Sequence, residues 1–93
     1  PNANLMLFEK ELDTVAMRNF VNAGMELTKG VCGVFIGDEK QGFRYVLGSS
    51  GDIREIGKKL NEAFQGKGGG KPPMIQGSLV GEEKKIREFL ENI

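Results

Sequence analysis

The chain has 93 residues, 39% of them hydrophobic, which suffices for one small domain with a modest core. Thirteen basic and thirteen acidic residues cancel to a net charge of zero, so wholesale attraction to nucleic acid or membrane is excluded and any basic site must be local. Histidine is absent and Cys32 is the single cysteine, which removes the commonest general base, an internal disulfide and a zinc site built from this chain alone.

Taken in chain order, residues 4–10 read as a strand through Leu5, Met6, Leu7 and Phe8. Asp13 or Thr14 is an expected helix N-cap. Met17, Phe20, Val21, Gly24 and Leu27 then recur at helical spacing, and Lys29-Gly30 is the expected C-cap. The continuous apolar run over 31–36 predicts a central strand, with Cys32 inside it as a small buried hydrophobe rather than a nucleophile. A polar turn over 37–42 joins it to a strand over 43–47, so the two form a β-hairpin.

Ser49, Ser50, Gly51 and Asp52 then introduce a helix whose apolar face is Ile53, Ile56, Gly57, Leu60 and Phe64, with Gly66 expected to stop it. A glycine-rich stretch over 66–73 follows, and after it a strand over 74–80 with Gln76 and Ser78 polar on one side. Gly81 breaks that strand, Glu82 and Glu83 suit a helix N-terminus, and Ile86, Phe89, Leu90 and Ile93 give the last helix its apolar stripe. The order β-α-β-β-α-β-α predicts an α/β fold, a single small domain with a mixed sheet and packed helices.

The glycine-rich stretch is the feature with the most chemistry. Gly68, Gly69 and Gly70 lie between Lys67 and Lys71, and bare backbone lets amides crowd around an anion while lysines supply counter-charge. The alternative is a linker between helix and strand. A nucleotide phosphate loop is disfavoured, because Gln65 stands where its first glycine should be, Pro72 stands where its hydroxyl should be, and the stretch leads from helix to strand. A dinucleotide fingerprint fails on the same order of elements.

Residues 52–71 carry Arg54, Lys58, Lys59, Lys67 and Lys71 against Asp52, Glu55 and Glu62, a local positive excess. These cations would either form a solvated helix face or bind RNA phosphate with salt-dependent affinity. The last helix mixes both signs, with Glu83 to Arg87 and Lys84 to Glu88 as i, i+4 pairs, and carries no functional assignment. Ser49, Ser50 and Ser78 have no histidine to activate them, and Asp38 and Glu39 are adjacent turn residues, so no acid–base constellation emerges.

The run Gly68-Gly69-Gly70-Lys71-Pro72-Pro73-Met74-Ile75-Gln76-Gly77 resembles the signature of the DHH-associated domain in its alanyl-tRNA synthetase form. There several glycines precede a basic residue, a proline, a further residue, Met, a small or apolar residue and Gln. The resemblance extends to the order of elements over essentially the whole chain. It implies the C-terminal accessory part of an alanyl-tRNA editing protein or synthetase, and the chain's start at Pro1 suggests that 1–93 is one domain of a longer protein. The same domain accompanies DHH phosphoesterases that act on short oligonucleotides. In those, histidine typically follows the glycines and a Ser-Arg pattern ends the preceding strand. Here Lys71 and Gly48-Ser49-Ser50 stand in those places, which favours the alanyl type.

The resemblance implies assistance to tRNA binding without catalysis, the tRNA being tRNA-Ala or a mischarged tRNA. No cofactor is expected in this chain; zinc, with ATP as a further option, would belong to the parent protein. Gly68, Gly69, Gly70 and Lys71 are the expected backbone-and-charge clamp on phosphate, with Gln76 and Ser78 hydrogen-bonding RNA and Lys58, Lys59 and Lys67 adding secondary electrostatics. Other domains of the parent are expected partners, and homodimerisation with the glycines as mere linker is a further alternative. A reducing cytosol is the default compartment, since a secretory signal and a membrane-length apolar run are both lacking.

Overall fold

Period-two alternation of apolar residues sends one set of side chains to each face of a single sheet. The computed structural model describes residues 4–49, 51–71 and 73–92. The expectations placed on Ser50, Pro72 and Ile93 lie outside these residues. Eight elements occur in the order β1 (Leu5–Glu9), α1 (Thr14–Leu27), β2 (Cys32–Asp38), β3 (Gly42–Gly48), α2 (Ile53–Ala63), β4 (Lys67–Gly69), β5 (Met74–Leu79) and α3 (Glu83–Glu91). The mixed α/β sheet expected from the sequence is present, and its five strands run β1-β2-β3-β5-β4. β1 pairs with β2 in parallel across the α1 crossover, and the other neighbours pair antiparallel.

The two faces bury different cores. Cys32, Val34, Ile36 and Val46 face Met17 and Val21 of α1. On the opposite face Phe35, Phe43, Tyr45, Leu47, Ile75 and Leu79 meet Ile53 and Leu60 of α2 and Ile86 and Leu90 of α3. Phe8 stacks on Phe35 at 4.6 Å between ring centroids, and Arg87 of α3 lies over the Phe8 ring at 4.5 Å. Asn4 staples this side, donating from Nδ2 to the Leu90 carbonyl at 2.7 Å while its Oδ1 accepts from the Val31 amide. α1 covers β2 and β3, whereas α2 covers β3, β5 and β4. The β5–β4 end of the α1 face is therefore bare of helix.

Three local expectations are revised. The glycine-rich stretch is not wholly a loop, since Lys67–Gly69 pairs with β5 as the edge strand β4. α1 ends on Thr28, an extended residue whose amide donates back to Gly24, so Gly30 is not the cap. α2 ends at Ala63, and the left-handed residue that turns the chain is Gln65 at φ 54°, not Gly66. Gly66 is needed for space instead, because a Cβ there would sit 2.6 Å from both Asn61 Oδ1 and the Ser78 carbonyl. The expected N-caps Asp13 and Asp52 are in place, accepting from the Ala16 and Glu55 amides.

Candidate nucleic-acid interface

The edge strand is built on a pair of glycines. Gly68 of β4 lies opposite Gly77 of β5, and the next residue in that cross-strand row is Tyr45 of β3. A Cβ on Gly68 would come within 2.7 Å of the Tyr45 hydroxyl and within 2.5 Å of the Gln76 carbonyl. A Cβ on Gly77 would overlap the Lys67 carbonyl. The Tyr45 hydroxyl, so sheltered, donates to Asn61 Oδ1 of α2 at 2.8 Å. Burial pushes the tyrosine pKa up, and the Asn61 contact opposes that in part.

The three consecutive glycines differ in what requires them. Gly68 is required by close packing. Gly70 sits at φ 150°, a conformation that side-chain-bearing residues avoid. Gly69 has nothing within 4 Å of where a Cβ would stand and no such backbone angle. Its backbone lies open to solvent on an edge strand, where alternate amides and carbonyls lack a sheet partner.

The sheet separates the nine residues expected to touch RNA. Lys67, Gly69, Gln76 and Ser78 belong to the two cross-strand rows on the α1 face, and all are exposed. Lys71 joins this side, sharing a hollow of about 350 Å³ with Gly69, Gly70, Gln76, Arg18 and Asn22. Lys58 lies on the other face, in a cleft of about 750 Å³ between α2 and the glycines. That cleft also holds Arg54, but Asp52, Glu55 and Glu62 line it too, so its charge is mixed. Lys59 is apart from both, beside Phe64, Lys85 and Glu88. The expected set is thus not one constellation.

Two cations missing from the expected set belong to the α1 side. Arg18 of α1 donates from Nη1 to Gln76 Oε1 at 3.4 Å. Arg44 of β3 lies opposite Ser78 and is exposed. Each is separated from the glycines by at least 24 positions in sequence, so local charge density gave no sign of them. Cys32 is fully buried and burial raises its thiol pKa, which suits packing rather than nucleophilic chemistry. Among the described residues no three His, Cys, Asp or Glu side chains form a metal-sized group, and no helix is long and apolar enough to cross a membrane.

Residues 3–93 match the DHHA1 domain family. The chain belongs to that family. No curated protein sequence matches it. Among solved structures, this DHHA1 domain is similar to the C-Ala domain from Aquifex aeolicus alanyl-tRNA synthetase, with a TM-score of 0.69 and 20% identity. The similarity covers 95% of the DHHA1 domain and 90% of the Aquifex chain. The fold is thus shared over nearly the whole chain.

Proposed function

We propose that this DHHA1 domain is a non-catalytic accessory domain that helps hold tRNA for an alanyl-tRNA editing protein or alanyl-tRNA synthetase. The observation that carries this reading is Gly69. It keeps open backbone between Lys67 and Lys71, beside exposed Gln76 and Ser78, and no packing or backbone angle requires a glycine there. Unhindered amides with flanking cations suit a phosphodiester, and neighbouring amide and hydroxyl side chains suit ribose and base edges. Family membership and the fold shared with a domain of an alanyl-tRNA synthetase support the tRNA class of ligand. The substrate would be tRNA-Ala or a mischarged tRNA, with chemistry, zinc or ATP supplied by other domains of the parent.

The test is tRNA binding across a salt series with the natural chain, Lys71→Glu and Gly69→Val. Loss of the Lys71 contact should lower the slope of log affinity against log salt by about one unit. Gly69→Val should weaken binding while leaving thermal stability nearly unchanged. Equal affinities and slopes for all three proteins would remove the reading.

A further inference from the structure

The α1 face of the sheet carries a strip in which cations from three distant segments meet. Pairing aligns Arg44, Ser78 and Lys67 in one row across β3, β5 and β4. Two strand spacings put about 10 Å between the Cα atoms at its ends. The next row on this face places Gln76 beside Gly69, about 7 Å further along the strands. Arg18 reaches onto Gln76 from α1, and Lys71 closes the same hollow. Hollows on this side take Arg18, Arg44, Gln76 and Lys71 into their walls and no carboxylate. Among the described residues the ion pairs are Lys85–Glu82 and Arg87–Glu83, both on α3, so none of the four strip cations is neutralised by one. Two acids share this face: Glu9 of β1 ends the Arg44 row two strands away, and Asp38 of β2 accepts from the Lys40 and Gln41 amides in the hairpin turn.

We infer that this strip is the track of an RNA backbone, and that Arg18 and Arg44 are phosphate-contacting residues alongside Lys67 and Lys71. The inference rests on the tRNA reading above and adds the face, the direction and two residues to it. Four cations without an ion-pair partner, spread along an open strip whose hollows no carboxylate lines, match a chain of phosphates better than one isolated anion. Gln76 and Ser78 sit between them as the neutral donors and acceptors common at phosphate and sugar. A protein partner fits less well, because protein interfaces centre on buried aromatic or aliphatic anchors and the strip offers none. The larger α2 cleft is the weaker candidate, since its Arg54 and Lys58 lie among three carboxylates.

The experiment measures binding of fluorescently labelled unfractionated tRNA to the full chain across a salt series. The variants are R18A/R44A, R18K/R44K, Lys71→Glu and, as a charge-matched control on the other face, R54A/K84A. Losing two phosphate contacts should weaken binding roughly tenfold or more at low salt and flatten the salt slope by about two units. R18K/R44K should recover most of both, and R54A/K84A should stay within about twofold of the natural chain. If R18A/R44A matches the natural chain while Lys71→Glu still weakens binding, the track is overturned and the glycine-strand reading stands. If neither variant differs from the natural chain, both readings fail. Polyglutamate that competes with tRNA as strongly as a second tRNA does would also overturn the track, in favour of an acidic protein partner. Thermal melts of each variant, expected within a few degrees of the natural chain, separate lost contacts from lost folding.

Discussion

Tyr45 and Asn61 join the central strand to α2 through a 2.8 Å hydrogen bond, at the place where Gly68 and Gly77 bring β4 against β5. The edge strand thus rests on a polar contact that only glycines leave room for. Gly68→Ala and Gly77→Ala should each cost about 1–3 kcal/mol, the usual range for overpacking. Gly69→Ala should stay within about 0.5 kcal/mol of the natural chain, because the new methyl group meets nothing. Urea denaturation of the three variants checks this, and equal losses at 68 and 69 would contradict the packing account.

Tyr45 is the single tyrosine and tryptophan is absent, so ultraviolet titration reads this one hydroxyl. Burial favours the neutral phenol and raises its pKa in the folded chain. The sign follows from linkage. The tyrosine's contribution to stability is complete below the unfolded value of about 10 and is lost as pH rises through the higher folded value. The absorbance change at high pH should therefore come later than in the denatured chain and coincide with loss of structure. Tyr45→Phe should cost about 1 kcal/mol through the lost hydrogen bond and abolish that late transition.

Gly24 of α1 lies directly over Cys32 of β2, where a Cβ would come within 2.6 Å of Sγ. Alanine is the better helix former by about 1 kcal/mol, yet here the contact should dominate and Gly24→Ala should destabilise. Cys32→Ala should relieve the penalty, so the double variant should be more stable than additivity predicts, by about 1 kcal/mol. The thiol itself is buried with a raised pKa, so it should resist alkylation in the folded chain and react at the rate of unfolding. Fast labelling under native conditions would contradict this.

α3 takes its cap from a distant turn. Its N-cap residue Glu82 makes no side-chain cap, and the Glu83 amide instead donates to Glu39 Oε2 at 3.2 Å. Asp13 caps α1 locally, accepting from Ala16 at 2.8 Å. Both Glu39→Ala and Asp13→Ala should lose stability, by about 0.5–1 and 1 kcal/mol respectively. Only the first should raise amide exchange in α3. Unchanged exchange there in Glu39→Ala would show that the hairpin turn does not hold the helix.

Most elements were legible because their information is local. A continuous apolar run marked β2, a polar turn followed by a second apolar stretch marked β3, helical spacing marked α1, α2 and α3, and Asp13 and Asp52 marked two helix starts. β4 was not legible, since Lys67-Gly68-Gly69 has neither alternation nor strand-forming side chains. It is a strand because β5 offers a pairing edge and because Gly68 and Gly77 fit beneath Tyr45.

The candidate site divides in the same way. Sequence alone determined the glycines, the flanking lysines and the run through Gln76 that carries the family resemblance, since all are contiguous. Tertiary structure alone decided which cations share a face. Sheet pairing put Lys67, Gln76 and Ser78 on the α1 side with Arg18 and Arg44, and left Lys58 and Lys59 behind the sheet on α2. The reason is physical. Side chains two apart on a strand share a face whatever their order in the chain, whereas residues close in sequence are divided when a sheet runs between them.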